Sequence, residues 1–422
     1  MDEHASETDV AVVGAGPAGC VLSYLLARSG VDVTLLERGA DLDRAFRGYF
    51  WQPVALRLFD QMGLLADVLA LDHVEVSRPS VDVYGRAFDL FDLSASPGPY
   101  NYGVLMEQPA LLRLLVERAA TYDGFEFRPH TPVRDLLSED GRVVGVRARN
   151  ADGESVTVRA RCVVGADGRY STVRAAAGID PGLFDSRLEL LWFKLPADAV
   201  GEDAQARFDA AGTLLYFGLG EEEAQLGWFV EAGTYPDLRE AGIEAFRDRV
   251  RAVDPALGPA LDDHLTDFEA CSLLHIDPGV SERWVDDGLL LVGDAAHVAS
   301  PVGGQGNGLA VEDAVLAHRV ICEALDGSDG VLPARALARF EAERRPAIER
   351  VVRAQRRGEA ALTALVLSQG RVPDPVRRAA LTAGVGVAAH LPGTRRTVEL
   401  FAWGATSVTV AREHLVDAPT WA

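Results

Sequence analysis

The chain has 422 residues, is 48% hydrophobic and 25% charged, and carries a formal charge of −22. That length allows two or three units with real cores. The acidic balance excludes a nucleic-acid or anionic-membrane binder, since both need a basic face. Lys194 is the only lysine, so arginine supplies nearly all the positive charge. Cys20, Cys162, Cys271 and Cys322 are scattered, with no CxxC and no histidine at metal-ligand spacing. They read as free thiols in a reducing compartment, and the cytoplasm is the expected location. The first nine residues are acidic and polar, which is unlike a signal peptide, and no apolar run reaches membrane-spanning length.

Residues 10–13 read as a short buried strand, 14–19 as a glycine turn, 17–29 as a helix ending near Gly30, and 31–36 as a second strand closed by Glu37 and Arg38. This is a βαβ start. Pro53 suits the first turn of a helix over 53–71. Residues 74–93 alternate apolar and polar, as a sheet wet on one face would. A helix over 108–121 and strands or hairpins over 125–149 follow. Residues 161–165 form another buried strand, ending at Asp167–Gly168. The pattern over 188–275 is again strand-like (190–195, 213–219, 226–231, 268–276), with one helical insert at 238–253. A buried strand then stops at Gly293–Asp294, a loop rich in glycine follows, and a helix covers 309–325. Beyond it the chain is mainly helical, with 379–391 read as a buried helix.

The expected architecture is therefore α/β. A Rossmann-like cofactor domain (1–72, 104–184 and 276–330) would carry an inserted β-sheet substrate domain (73–103 and 185–275). A helical C-terminal region (331–422) would follow.

Three segments carry chemistry. In GAGPAG, Gly14 permits the tight turn, Gly16 lets backbone approach a pyrophosphate, and Gly19 lets helix and strand pack closely. Glu37 stands where an acid accepts bonds from a ribose hydroxyl. In 163–174, a strand runs into Asp167–Gly168, and Ser171 is placed to cap the next helix. In 289–308, Asp294 at a strand tip, beside Pro301, Gly303, Gly304, Gly306 and Gly308, fits a polyol and a flat ring lying close to main chain. The helix behind that loop would aim its positive end at the ring. His297 reads as structural, satisfying loop carbonyls, and His264 and His275 have no visible partner. No Ser-His-Asp, paired-carboxylate or metal constellation is evident.

Together, Gly14–Gly19, Asp167–Gly168 and Gly293–Asp294 resemble the class A flavin-dependent monooxygenases of the para-hydroxybenzoate-hydroxylase type, over most of residues 8–350. The resemblance implies FAD as cofactor and NAD(P)H and O2 as co-substrates. A flavin C4a-hydroperoxide would pass oxygen to an electron-rich carbon of an aromatic or polycyclic small molecule. It places Arg38 and Arg47 near the FAD phosphates, with Arg47 also a possible participant in the chemistry. It places Gln108, with Arg113 one turn later, against FAD beside Asp167, Gly293, Asp294, Gly304, Gly306 and Asn307. One departure is visible: the family often has Asn where this chain has Gly308. Candidate substrate walls are Trp51, Trp192, Tyr216, Trp228 and Pro301. Lys194 shares a strand face with Trp192 and would either face solvent or meet an acidic substrate. Epoxidation, Baeyer–Villiger oxygenation, a reductase or a halogenase on the same fold remain open, although 227–231 (GWFVE) lacks the halogenase WxWxIP strand.

Overall fold

The apolar, β-branched run at 10–13 sits at the centre of a parallel sheet in the computed structural model, which describes residues 4–43, 49–89, 92–95, 99–200, 206–301, 303–368, 371–388, 392–404 and 407–416. The strand is longer than its apolar part. His4–Val13 pairs along Ser155–Gly165 from its first residue, His4, because backbone pairing does not need apolar side chains. In space the strands run Phe125–Arg128, Val33–Leu36, His4–Val13, Ser155–Gly165, Leu289–Leu291. At the centre of the sheet, where residues 10–13, 33–36, 162–165 and 289–291 are buried, the strands read as near-continuous apolar runs. The helices Pro17–Arg28 and Gly306–Asp326 pack on this sheet and on each other. Thus the glycine turn, the Asp167 turn and the Gly293 turn all emerge at the carboxyl ends of adjacent strands, where α/β sheets bind ligands.

The helix expected over 53–71 is two helices, Pro53–Gln61 and Leu65–Leu69, because Gly63 takes φ 76° and ends the first. Residues 74–93 divide likewise. Val74–Val76 joins Gly103–Leu105 and Phe50–Trp51 in a small sheet. Ser80–Val83 and Arg86–Asp89 form a hairpin at the edge of a seven-stranded sheet. That sheet continues through Ala206–Phe208, Thr213–Gly218, Glu223–Glu231 and Leu188–Pro196 to Ser272–His275. The two sequence insertions therefore build one sheet. The strand expected over 268–276 is short because Asp267 accepts from the Glu269 and Ala270 amides and turns the chain first. The helical insert is three helices, Tyr235–Ala241, Ile243–Val253 and Gly258–His264, divided first at Gly242 with φ 89°.

The long helix Ala334–Leu367 leans on both sheets, and Asp374–Ala388 lies across the edge hairpin. That last helix is not buried as expected. Leu381 and Val385 meet Val81 and Val83, while Val376 and Val387 are exposed. No helix among the described residues is long and apolar enough to cross a membrane. Cys20, Cys162 and Cys322 are buried and Cys271 is half-buried, and none of the four is in a disulfide.

His318 joins the helix Gly306–Asp326 to the end of Pro17–Arg28. The Ser29 hydroxyl donates to the Leu25 carbonyl at 3.0 Å, so His318 Nε2 donates to Ser29 Oγ at 2.7 Å and Nδ1 is left with no partner. Burial, with His414 nearby, pulls the imidazole down from its usual 6.5 to about 3. The unfolded chain therefore takes up a proton near pH 6.5 and the native one not until about pH 3. Stability is expected to fall as pH drops across that interval, by up to ~1.4 kcal/mol per pH unit. Denaturant melts of His318→Gln, which cannot titrate, should show that slope removed.

Candidate active site

A cavity of about 260 Å³ opens where the three turns meet, with the seven-stranded sheet as its far wall. Its cofactor side is mainly backbone and small residues: Gly16, Pro17 and Ala18, then Ala166 and Gly168, then Gly293, Asp294 and Gly304 to Asn307.

Two helix N-termini face it, those of Pro17–Arg28 and Gly306–Asp326. Neither has a side-chain cap or an acid in its first turn. Such ends carry unsatisfied N–H groups and partial positive charge, which suits a pyrophosphate at one and an electron-rich ring at the other. Gly14 makes the first approach possible. Its φ is 102°, and a Cβ there would lie 2.6 Å from the Ala166 carbonyl oxygen. Glu37 is buried and accepts from the Ala15 amide at 2.8 Å and the Gly39 amide at 2.9 Å, which fixes the turn beside it. These features fit a dinucleotide: a backbone cradle a Cβ would fill, two open helix ends and a buried acid at the second strand tip.

Asp167 differs from expectation. Its carboxylate faces its own chain, accepting from the Thr172 amide at 2.7 Å and the Val173 amide at 3.1 Å and from the Ser171 hydroxyl at 2.5 Å. Burial pushes its carboxyl up, and those bonds oppose the shift. It caps the following turn, and its neighbours Ala166, Gly168 and Arg169 line the cavity instead. Arg174, which the sequence left unassigned, straps two loops together. It donates to the Ala295 carbonyl at 3.0 Å and the Arg169 carbonyl at 2.6 Å.

Beneath the Gly293 turn lies a buried ionic cluster with no local sequence pattern. Asp313 Oδ2 accepts from the Gly293 amide at 2.9 Å and contacts His297 Nε2 at 2.6 Å. Arg344 donates to Asp313 Oδ1 at 2.6 Å, to Glu312 Oε2 at 2.8 Å and to the Leu309 carbonyl at 3.2 Å. Burial alone would raise the Asp313 carboxyl; His297 and Arg344 overcome it and hold the group at about 2. Burial raises Glu312. His297 is thus structural as expected, but its partner is a carboxylate, not a loop carbonyl.

Asn307 accepts from Gln108 Nε2 at 3.1 Å and donates to the Phe50 carbonyl at 3.2 Å, so both predicted side chains meet at the cavity. The departure at Gly308 has a steric reason: a Cβ there would lie 2.6 Å from Gln52 Oε1. Gln52 occupies the space an Asn side chain would need, and donates to the Gly304 carbonyl. Arg38 is exposed, and Arg113 pairs with Asp43 at 2.6 Å on the surface. Arg47 lies outside the described residues.

The sheet wall and its surroundings differ from expectation at several residues. Register pairs Trp192 with Gly227 and Leu191 with Trp228, so Trp192 and Trp228 point to opposite faces. Trp192 lines the cavity with Phe217, Leu274 and Gln225. Trp228 and Tyr216 lie on the other face, packed against the helices of the insert, and the Tyr216 hydroxyl donates to Asp254 at 3.0 Å. Trp51 is fully buried in the main core against Phe59 and does not reach the cavity. Pro301 does line it, as do Tyr49 and Phe50. Lys194 is partly exposed and already paired: it donates to Glu107 at 2.7 Å and to Glu223, tying the sheet to the residue before the Gln108 helix. His275, for which no partner was visible, contacts Glu189 at 2.7 Å.

A glycine cradle, two open helix ends and an overlying sheet define a flavoprotein of the two-domain oxygenase type. The chain belongs to the FAD binding domain family, whose model matches residues 7–355. It is 39% identical to a 6-methylpretetramide 4-monooxygenase of Streptomyces rimosus over 409 residues, 96% of this chain and 94% of that one. The anhydrotetracycline hydroxylase OxyS of Streptomyces rimosus superposes with a TM-score of 0.69 at 25% identity, over 94% of this chain and 76% of that one. The p-nitrophenol 4-monooxygenase PnpA of Pseudomonas putida shares the fold, with a TM-score of 0.76 at 21% identity over 95% of this chain and 99% of that one. The protein is an FAD-dependent monooxygenase.

Proposed function

We propose that this enzyme hydroxylates a planar, polycyclic phenolic small molecule of secondary metabolism, in the cytoplasm. The observation that carries the reading is a cavity bounded on one side by the glycine cradle and on the other by Trp192, Phe217 and Leu274. A flat aromatic fits between such walls. The polycyclic compounds named for the two Streptomyces proteins support the size class.

FAD, when bound, accepts a hydride from NAD(P)H and activates O2 for transfer of one oxygen atom. The chain supplies binding, orientation and exclusion of water. Gly14, Gly16, Gly19, Glu37 and Arg38, with Arg47, would hold the adenosine and pyrophosphate half. Gln108, Gly293, Asp294, Gly304, Gly306 and Asn307 would hold the ring half. The open end of helix Gly306–Asp326 stabilises negative charge developing there. Asp167 acts indirectly, by shaping the turn that presents Gly168 and Arg169. Trp192 and Pro301 wall the substrate, and apolar walls keep water from the reacting atoms. In this reading residues 1–72, 104–184 and 276–330 form the cofactor domain, 73–103 and 185–275 the substrate domain, and 331–422 a helical cover. The strand Gly103–Leu105 and its partners form the seam between the first two.

A panel of phenolic and polyketide-like aromatics scored by stimulated NAD(P)H oxidation tests this. Polycyclic phenols should stimulate oxidation well above the substrate-free rate; a response to no aromatic in the panel would sink the reading.

A further inference from the structure

Gln225 is a polar residue in an otherwise apolar stretch of the strand Glu223–Glu231. Register pairs it with Lys194 on one side and Phe217 on the other, which puts it on the face that lines the cavity. The residue is fully buried at 0% exposure, and neither Oε1 nor Nε2 has a hydrogen-bond partner. A primary amide offers two donors and an acceptor. Leaving both ends unpaired inside a protein opposes folding, so such a group calls for an explanation. The neighbouring polar side chains are already engaged. Gln108 meets Asn307, Gln305 donates to the Phe401 carbonyl at 3.1 Å, and Arg169 donates through one terminal nitrogen to the His275 carbonyl at 2.7 Å, although its Nε has no partner. Beside Gln225, Trp192 and Phe217 meet edge to face at 5.7 Å. Gly227 keeps that wall flat, since a Cβ there would lie 2.6 Å from the Trp192 ring.

We propose that Gln225 determines specificity by pairing its amide N–H and C=O together with an acceptor and a donor set side by side on the edge of a planar aromatic substrate. This rests on the reading of the protein as an aromatic hydroxylase. Two substituents present that edge: a carboxamide, or a hydroxyl next to a ring carbonyl. A simple phenol offers no such pair. A site built around a buried polar group rejects ligands that leave it unpaired.

The test uses FAD-loaded enzyme and reads Kd from the substrate-induced change in flavin absorbance, with thermal unfolding alongside. The probes are 6-methylpretetramide for the carboxamide, a hydroxyanthraquinone with its hydroxyl beside the carbonyl, and naphthol as a ring without the edge. Gln225→Met, with Gln225→Leu as second variant, should raise Kd at least ~10-fold for one or both edge-bearing probes. Which probe is affected identifies the substituent read. Naphthol should change less than about 2-fold, and Tm should hold or rise because an unpaired amide is gone. Unchanged Kd for both edge-bearing probes overturns the proposal. So does an equal loss for all three with a lowered Tm, or failure of both variants to fold, since these mark a structural amide. Wild-type enzyme that responds to none of the three overturns the hydroxylase reading itself, and this inference with it.

Discussion

Arg344→Leu is expected to cost about 3–5 kcal/mol of stability. The side chain is fully buried and is a hydrogen-bonded cation for both Asp313 and Glu312. Removing it leaves two carboxylates in the same dry space. The consequence should reach the cofactor, because Asp313 also holds the Gly293 amide and His297. Denaturant unfolding and FAD retention should fall together. Arg344→Lys keeps a charge but not the planar fork that serves two acids, so it should recover only part of the loss. A variant that melts like wild type would show that the cluster does not support the turn.

Gly14→Ala is expected to abolish high-affinity FAD binding. Its φ of 102° disfavours any L side chain, and the added Cβ would meet backbone at 2.6 Å, which no rotamer change relieves. Backbone strain of this kind costs roughly 1–3 kcal/mol before the clash is counted. Gly30→Ala provides the contrast: φ is 74°, but nothing lies within 4 Å. It should carry the strain alone and still bind FAD. Flavin content of the two purified proteins, and FAD affinity after reconstitution, separate steric closure of the cradle from general backbone strain.

What could be read from the residues follows how local each feature is. The βαβ start, the three turns and Glu37 depend on neighbours within a few positions, and they were legible. The Ser171 cap was equally local, and its Oγ accepts from the Arg174 amide at 2.9 Å. Asp167 belongs to that same cap, and its spacing to Ser171 held the clue that it faces its own chain. Alternation put Trp192 and Lys194 on one face of their strand. Which face looks at the cavity is set by pairing with distant strands, so Trp192 could not be told from Tyr216 or Trp228. The Asp313–Arg344 pair spans two helices. Lys194 joins a strand to the start of the helix Gln108–Ala119, which lies far away in sequence. Neither leaves a local pattern. Gln225 had one available signal, an amide inside an apolar strand, but its unpaired state is a property of the packed wall.

The central claim is that FAD and O2 together insert one oxygen atom into an aromatic ring held against Trp192 and Phe217. The most direct measurement is the mass of product formed from a polycyclic phenol by the FAD-loaded enzyme with NAD(P)H under isotopically heavy O2. The account predicts a product heavier by one labelled oxygen atom, with none formed when O2 is removed. Conversion that proceeds without O2, or a product that carries no label, would contradict it.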